Sequence, residues 1–379
     1  MPLVLAAFGL LLLTTILWDA FETIILPRRV TRLFRLARFF YRSTWRPWRA
    51  IALLIVSPKR RDSFLSFYGP LSLLALFGVW AFGLIFGFAT LHRAARWIFN
   101  APNQVTTFWT DLYLSGTTFF TLGLGDVVPH TAAARLVTVV EGGMGFGFLA
   151  IVISYLPVLY GAFSQREVNI SLLDARAGSP PTAAELLRRH VQGHKLNALA
   201  EYLRDWETWA AQLMESHLSY PVLCYFRSQH QNQSWLAALT TILDACAFIM
   251  AAAEGDLTWQ AGLTFAISRH AVVDLAQVMG VTPTPPSVDR LAANELARLE
   301  ALLDGPGFEG RNMAQVTERL QQLRRMYEPY VNGFSERLLM PLPPWASSRQ
   351  VVDNWRTSAW RPEPSVAVTP SAKAADDHF

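Results

Sequence analysis

The clearest chemical pattern in the sequence is the stretch TLGLGD, in which Thr121, Gly123 and Gly125 alternate with leucines and Asp126 follows. Alternate glycines allow the backbone to twist left-handed and right-handed in turn, so that successive carbonyl oxygens face one axis. Rings of such oxygens, with the threonine hydroxyl, can replace the hydration shell of a cation. The carbonyls concerned belong to Thr121, Leu122, Gly123 and Leu124. A phosphate-binding loop is the alternative, but the glycine spacing and the absence of a strand-then-helix pattern argue against it.

The segments around this stretch indicate a membrane protein. Of 379 residues, 52% are hydrophobic and 16% are charged, against roughly 25% charged residues in soluble domains. Three apolar segments exceed the roughly 20 residues that a spanning helix needs. They cover residues 3–26, 64–91 and 132–163. We expect no further span, because residues 236–253 come closest but contain Asp244.

Charge predicts the orientation of these spans. Between Arg28 and Arg61 there are eleven basic residues and no acidic residue, and such loops stay in the cytoplasm. The N-terminus and residues 92–131 are therefore expected outside, and the linker and everything after Phe163 inside. The first helix lacks the basic start and the small-residue cleavage site of a secretory signal. TLGLGD then lies in a segment that starts and ends outside, so this segment can only enter the membrane and return. Non-helical backbone at membrane depth must be surrounded by protein or water.

The order of span, short helix, TTFFTLGLGD and span resembles the pore domain of potassium channels, whose filter reads T-x-G-[Tyr/Phe/Leu]-G-D. Thr121, Gly123, Gly125 and Asp126 match that filter position by position. Leu124 stands where tyrosine is most frequent, and Phe120 where a second threonine is usual. The resemblance is to bacterial channels of the two-transmembrane, pore-loop type and to two-pore-domain channel pores. It covers roughly residues 64–163, leaving an additional N-terminal span.

The resemblance implies an all-α membrane protein that conducts potassium passively. Four pore loops surround one axis in that family, and this chain has one, so a homotetramer is implied. Potassium is then the transported species, coordinated at Thr121, Leu122, Gly123 and Leu124. No cofactor and no enzyme activity are implied, and the sequence shows no nucleophile–base or metal constellation. Two alternatives remain open: a non-selective cation channel, and a non-conducting membrane scaffold whose helical domain binds a partner.

Four further residues are candidates for supporting or gating such a pore. Family members often place a carboxylate on the pore helix where this chain has Thr117. We expect Glu141, an ionisable residue inside the third span, to supply hydrogen bonds to the filter support instead. Gly145 stands where the resembling inner helix has its glycine hinge, and Pro157 should bend that helix near its cytoplasmic end. Tight helix packing and an ordinary proline kink are the alternatives for these two residues.

The basic linker predicts a helix that lies in the membrane surface. Its arginines share one helical face, and aromatic and aliphatic residues share most of the other. That face should bind anionic lipid of the cytoplasmic leaflet. The candidate lipid contacts are Arg32, Arg35, Arg38 and Arg42. A voltage sensor is disfavoured because one span, rather than four, precedes the pore, and nucleic-acid binding is disfavoured because the neighbouring partner is a bilayer.

The predicted organisation has five parts. They are a transmembrane helix (1–27), a basic interfacial linker (28–63), a pore domain (64–163, with a pore helix at about 104–119 and the filter at 121–126), a helical cytosolic domain (164–360) and a disordered tail (361–379). In the cytosolic domain, Thr182 and Glu185 predict a capping box. His190 and His194 are expected on a solvated helix, and the two cysteines are expected to stay reduced. The composition places the chain in a cell or inner membrane.

Overall fold

A computed structural model describes residues 1–26, 35–95, 97, 99–100, 107–192, 196–228, 233–286, 288–292, 295–297, 299 and 312–346. The chain divides at Gly161 into two compact units, an N-terminal unit and a C-terminal unit. Each unit is described by itself below. The predicted disordered tail (361–379), Arg32 and His194 lie outside the described residues.

The N-terminal unit consists of helices and one short strand pair. Its helices are α1 (Pro2–Ala20, extended by a π-helical turn at Phe21–Ile25), α2 (Leu36–Leu54), α3 (Pro58–Ser66), α4 (Tyr68–Ala95), α5 (Phe108–Phe119) and α6 (Ala132–Ala177). Strand β1 (Phe99–Asn100) pairs antiparallel with β2 (Val128–Pro129), with Phe99 opposite Pro129. This strand pair joins the two ends of the segment that contains α5, between α4 and α6. The segment therefore begins and ends at one place.

Helices α1 and α4 pack closely through glycines. A Cβ added at Gly9 would lie 2.6 Å from Thr90 Oγ1 and 2.9 Å from the Gly87 carbonyl oxygen. At Gly83 the same atom would lie 2.2 Å from Ile16 Cδ1. Small residues let two apolar helices approach closely enough for dispersion and backbone contacts to hold them together in lipid. The additional N-terminal helix is thus an integral part of the N-terminal unit.

A buried carboxylate ties three helices of this unit together. Asp19, at the end of α1, accepts a hydrogen bond of 3.0 Å from Trp80 Nε1 on α4. Its two oxygens also lie 3.1 and 3.3 Å from the backbone nitrogen of Ala37, in the first turn of α2. An acceptor at a helix start satisfies a free N–H and complements the helix dipole. Asp19 therefore fixes where α2 begins relative to α1 and α4.

Helix α2 carries the predicted basic face but does not rest on lipid alone. The ring of Trp45 lies 4.7 Å from that of Tyr68, and Trp48 stacks on Phe64 at 4.5 Å. Thr44 Oγ1 lies 2.9 Å from the Tyr68 hydroxyl. Much of the aromatic face is therefore covered by α3 and α4, because aromatic rings gain more from close packing with one another than periodicity alone reveals.

Helix α6 is longer than predicted. It was expected to end at residue 163, where the sequence becomes polar, but it continues to Ala177. The first charged residue of the extension, Arg166, is buried and donates to the carbonyls of Leu223 (3.1 Å) and Phe226 (3.0 Å). Its Nη1 also lies 3.1 Å from His217 Nε2. Buried charges are tolerated when they are hydrogen-bonded in this way, so the polar residues do not end the helix.

The regular elements of the C-terminal unit are all helices in the part that the structure describes. After α6 it contains α7 (Ala183–Gln192), α8 (Leu196–Ser219), a 3₁₀ turn (Pro221–Tyr225), α9 (Trp235–Ala252), α10 (Asp256–Met279), α11 (Met313–Arg324) and α12 (Glu328–Leu338). Helix α9 is central, with nearly every residue buried. Helix α10 packs against α8 and α9, and α11 also packs against α9.

Asp244, in the middle of α9, is a paired core residue. Its two carboxylate oxygens accept hydrogen bonds of 2.9 and 3.0 Å from the guanidinium of Arg290, and Tyr327 donates to it as well. Arg290 also reaches Glu328 at 2.9 Å. These partners satisfy a charge that would otherwise be costly to bury.

Among the residues that the structure describes, four helical segments are long and apolar enough to cross a membrane by length and composition. Three correspond to the predicted spans: Pro2–Ile25, Pro58–Ala95 and Ala132–Ala177. The fourth is Trp235–Ala252, so the expectation that no later segment qualifies was wrong. This fourth helix is α9, which is covered by protein on nearly all sides and carries the paired Asp244. Its apolar character fits a core helix as well as a span.

Helix α7 shows how local prediction succeeded and failed. The Glu185 backbone N–H donates to Thr182 Oγ1 at 3.3 Å, which confirms the predicted cap. The Glu185 carboxylate, however, accepts from Arg188 and Arg189 at 2.6–2.8 Å. His190 is buried, stacks on Tyr202 and lies 2.8 Å from the Leu186 carbonyl oxygen, so its predicted solvated position was wrong.

Both cysteines are buried and unpaired.

Candidate functional site

The candidate site begins at α5, the short helix between α4 and α6. Thr107 caps it: Thr110 N donates to Thr107 Oγ1 at 3.4 Å, and Thr107 N donates to Thr110 Oγ1 at 3.2 Å. This reciprocal arrangement satisfies two backbone donors that a helix start leaves free. Helix α5 therefore begins at Phe108 rather than near residue 104, and residues 104–106 lie outside the described part.

The TLGLGD loop (residues 121–126) folds back onto the end of α5. The Leu122 and Gly123 backbone N–H groups donate to the Thr117 carbonyl oxygen at 2.8 and 3.4 Å. Thr121 N donates to the carbonyl of Thr118 at 3.0 Å. These bonds satisfy the last carbonyls of the helix, as helix ends require. Thr117 thus contacts the loop through its backbone, while its hydroxyl donates to the Leu114 carbonyl at 3.0 Å.

The backbone of this loop alternates in hand, as predicted from the glycine spacing. The φ angles are +57° at Thr121, +55° at Gly123 and +77° at Gly125. Leu122 and Leu124, between them, are not in the positive-φ region. Each reversal of hand turns the next peptide plane, so carbonyls of successive residues can point to the same side. A positive φ at the β-branched Thr121 is a genuine outlier and was not predicted.

Within a single chain the loop is uncovered. The exposed fractions of Phe120, Leu122 and Leu124 are 59%, 62% and 64%. A Cβ added at Gly123 or Gly125 would have no heavy atom within 4 Å. Large apolar side chains next to strained backbone are rarely left in solvent. The apolar side chains of the loop are therefore largely unburied in one chain.

Asp126 has a neighbour on the short helix that precedes the loop. The hydroxyl of Tyr113, on α5, faces the Asp126 carboxylate. Tyr113 was missed by the sequence reasoning, which considered only Thr117 on this helix. The signal was available: Tyr113 lies one helical turn before Thr117, on the same side of α5.

Glu141 lies inside α6 and is completely buried, but its partner differs from the predicted one. Its Oε2 lies 3.1 Å from Nε2 of His92, near the end of α4. Among the described residues Glu141 forms no hydrogen bond to Thr117 or Asp126, and its role in supporting the filter stays a prediction. Glu141 also faces Ser115 of α5. The carboxylate therefore joins α4, α5 and α6 behind the loop. His92 was missed because a single histidine at the end of an apolar segment gives no pairing signal.

Gly145 is required by a close approach of two helices. A Cβ at this position would lie 2.0 Å from the Phe119 carbonyl oxygen and 2.7 Å from its carbonyl carbon. The end of α5 thus rests directly on the α6 backbone. Helix α6 continues without interruption through Gly145 and Pro157. The tight-packing interpretation of Gly145 has a direct structural basis, and the gating roles of Gly145 and Pro157 stay predictions.

Of the four arginines predicted to contact lipid, two keep an exposed position. Arg38 and Arg42 are exposed on α2. Arg35 is only partly exposed, lies 3.8 Å from Glu22 and donates to Thr23 Oγ1 at 3.2 Å, so its guanidinium is already engaged by the end of α1. Arg32 lies outside the described residues.

Residues 74–159 match the protein family described as "Ion channel". The matched segment begins inside α4 and ends inside α6, so it includes α5 and the whole TLGLGD loop. Over this segment the chain is therefore similar to ion channels. Its fold class is that of an all-α membrane channel, which confirms the class expected from the sequence.

A curated relative is the uncharacterized membrane protein YdjJ of Bacillus subtilis (strain 168), which is 24% identical over 176 residues. The match covers 46% of this chain and 51% of the relative. The chain thus spans about half the length of the curated relative it matches. No solved structure gives a significant match.

Proposed function

We propose that this chain forms a homotetrameric channel that conducts potassium passively and selectively, with residues 121–126 as its filter. The observation that carries the proposal is the alternation of backbone hand at Thr121, Gly123 and Gly125, directly after a short helix set between two spans. Carbonyl oxygens presented in this way can replace the water around a potassium ion. The C-terminal end of α5 adds partial negative charge beside the loop.

The exposed apolar side chains of the loop and of α6 support the proposed tetramer. The loop side chains are uncovered in one chain, and so is much of the apolar surface of α6. Val139 and Phe146, for example, are 73% and 68% exposed. Three further copies around one axis would cover part of this surface and would bring four loops together. One loop alone cannot surround an ion, because its carbonyls approach from a single side.

The charge pattern and the exposed arginines support the topology. The N-terminus lies outside, and the linker and the C-terminal unit lie in the cytoplasm. Arg38 and Arg42 on α2 are exposed and bind anionic lipid of the inner leaflet. The protein belongs to the cell membrane, uses no cofactor, binds no nucleic acid and catalyses no reaction. The transported ion is the only small partner that the filter requires.

A non-selective cation channel is the second candidate. It is favoured by Phe120 and Leu124, which replace the residues usual at these positions in the resembling filters. Both are exposed within one chain, so their contacts depend on the assembled pore. A non-conducting scaffold is the third candidate, but it gives no reason for a strained threonine at positive φ beside two positive-φ glycines.

Flux through liposomes containing the purified full chain tests the proposal. A potassium gradient should drive flux, and replacing potassium by sodium should abolish it. Gly123→Ala should abolish potassium flux, because φ is +55° at this position and an L-residue there costs about 1–2 kcal/mol. Gly147→Ala is the matched control, since Gly147 has open space around it and lies in a regular helix.

The outcomes separate the candidates. Flux of both ions, lost in the Gly123 variant, would establish the non-selective channel. Absence of flux at every voltage and pH, with a tetramer still present by mass measurement, would favour the scaffold. A monomer that conducts would contradict the proposed assembly.

A further inference from the structure

A groove runs along one face of α10 in the C-terminal unit, between α10, α11 and the end of α9. Its volume is about 780 Å³. Its apolar lining includes Met250, Leu263, Phe265, Leu323 and Met326. Phe265 and Leu323 are buried and form the floor, whereas Leu263 and Met326 are exposed at the walls. Apolar surface of this extent is of the kind that binds a ligand.

The polar groups of the groove are basic or neutral. Arg269 and His270 of α10 and Arg319 and Gln322 of α11 line it, and the described lining contains no carboxylate. Within the part of the chain that the structure describes, neither Arg269 nor Arg319 forms an ion pair; Arg319 has only a long contact, 3.4 Å, to Gln322 Oε1. Two unneutralised guanidinium groups beside an apolar surface favour a ligand that carries a negative charge.

A second hollow adjoins the groove along α10. Its volume is about 450 Å³, and it shares Gly262 and Leu263 with the first. It leads to Thr258 and to Trp259, which is 72% exposed. From Trp259 to His270 the helix rises roughly 16 Å, at about 1.5 Å per residue. This distance matches an extended acyl chain of medium length.

Gly262, where the two hollows meet, supports the same interpretation. It lies inside α10, where glycine costs about 1 kcal/mol relative to alanine. No packing contact requires it, since an added Cβ would have no heavy atom within 4 Å. Any side chain at this position would project into the groove. The glycine therefore keeps the floor open at the point that an elongated ligand must cross.

We propose that this groove binds a single-chain anionic amphiphile, a molecule with one acyl chain and one carboxylate or phosphate head. The head lies between Arg269 and Arg319, and the chain follows α10 over Gly262 toward Trp259. Fatty acids and lysophospholipids with an anionic head share this chemistry. The site lies in the C-terminal unit, so the test of binding does not depend on ion flux.

Photolabelling of the full chain tests the site. The protein is placed in nanodiscs of neutral phosphatidylcholine and exposed to dodecanoic acid that carries a diazirine in its chain. Mass spectrometry then locates the label. We expect labelling of α10 and α11, competed by unlabelled dodecanoate or by lysophosphatidate, but not by dodecanol, which has the same chain without the charge. The stronger competitor identifies the source of the ligand. Equal competition by dodecanol would overturn the proposal.

Variants separate the groove from general lipid contact. Gly262→Phe fills the floor, and the double variant R269Q/R319Q removes the charges. Each should reduce labelling at α10 and α11 by about 10-fold or more, the loss expected for a charge-assisted contact. Arg325→Gln is the matched control, because Arg325 is exposed directly after α11 and does not line the groove. Thermal unfolding identifies variants that fail to fold. Unchanged labelling in both folded variants would contradict the site.

Discussion

His92 Nε2 and Glu141 Oε2 lie 3.1 Å apart, and both side chains are completely buried behind α5. The pair joins the end of α4 to the first third of α6 across 49 residues of sequence. Because α5 and the TLGLGD loop lie between these two helices along the chain, the pair fixes the frame in which the loop is held. The ion selectivity of the proposed channel should therefore depend on the His92–Glu141 pair, although no ion touches it.

Glu141→Val should weaken that frame. The change leaves the imidazole of His92 without this partner, and losing the partner of a buried polar group costs about 1–3 kcal/mol. We expect a lower unfolding temperature and a smaller ratio of potassium to sodium flux. Glu141→Gln keeps an acceptor for His92. This variant should retain most of the thermal stability and most of the potassium-to-sodium selectivity. Equal selectivity in the wild type and both variants would show that the pair has no effect on the loop.

Gly145→Ala separates packing from hinge motion. Its new Cβ would fall 2.0 Å from the Phe119 carbonyl oxygen, so α5 or α6 must shift. We expect loss of the tetramer or of selectivity, measured by size-exclusion mass analysis and by flux.

Gly143→Ala and Gly147→Ala are the controls, because neither position has a heavy atom within 4 Å of the added Cβ. Alanine also stiffens a helix at each of these sites. If all three variants assembled normally and differed only in the extent of opening, a hinge would explain Gly145 better than packing.

Asp19→Ala should release the start of α2. The change removes an acceptor at the first turn of that helix and the bond to Trp80, and loss of a helix cap costs about 0.5–2 kcal/mol. Hydrogen exchange should accelerate in the first turns of α2. Trp80→Phe removes the indole bond but leaves the cap, so it should leave exchange in α2 nearly unchanged. Similar acceleration in both variants would assign the effect to α4 packing instead.

The contribution of Glu185 to stability should depend on pH. Burial alone would raise its pKa, but hydrogen bonds from Arg188 and Arg189 outweigh burial and hold the pKa below its usual value. A carboxyl with a lowered folded-state pKa contributes stability above its unfolded pKa of about 4.3 and loses that contribution as pH falls through the folded value.

Glu185→Gln should therefore accelerate hydrogen exchange in α7 at pH 7 and should have little effect at the acidic end of the accessible range. Arg204→Gln, on an exposed face of α8, controls for a general change in charge. A variant effect that stayed constant from pH 7 to below the folded pKa would show that the carboxylate charge is irrelevant.

The sequence predicted those features that depend on local rules. Gly123 and Gly125 implied alternate backbone hand because only glycine adopts positive φ without cost, and the Thr182 cap followed from side-chain geometry. Pairings across the chain could not be predicted in the same way. His92 meets Glu141, and Arg166 meets the carbonyls of Leu223 and Phe226, only because tertiary packing brings distant segments together. The end of α6 was misplaced for this reason.

Contacts between segments that are distant in sequence also explain the remaining differences between the predictions and the structure. Arg35 was placed with its neighbours on a lipid-facing stripe, yet Glu22 and Thr23 engage it. His190 looked like a surface residue on a polar helix, yet it is buried against Tyr202. Periodicity tells which residues share a face of a helix, but it does not tell what covers that face.

Thr121 has a φ of +57°, a conformation that a β-branched residue leaves readily when it can. Backbone strain of this kind is of order 1–3 kcal/mol, close to what a few hydrogen bonds supply. In the proposed channel, the filter would therefore be metastable by itself, and an ion seated in it would act as a structural ligand that keeps the threonine in place. When the last ion departs, the easiest relaxation available to the molecule is at this one residue, so a depleted pore should inactivate here rather than at its cytoplasmic end.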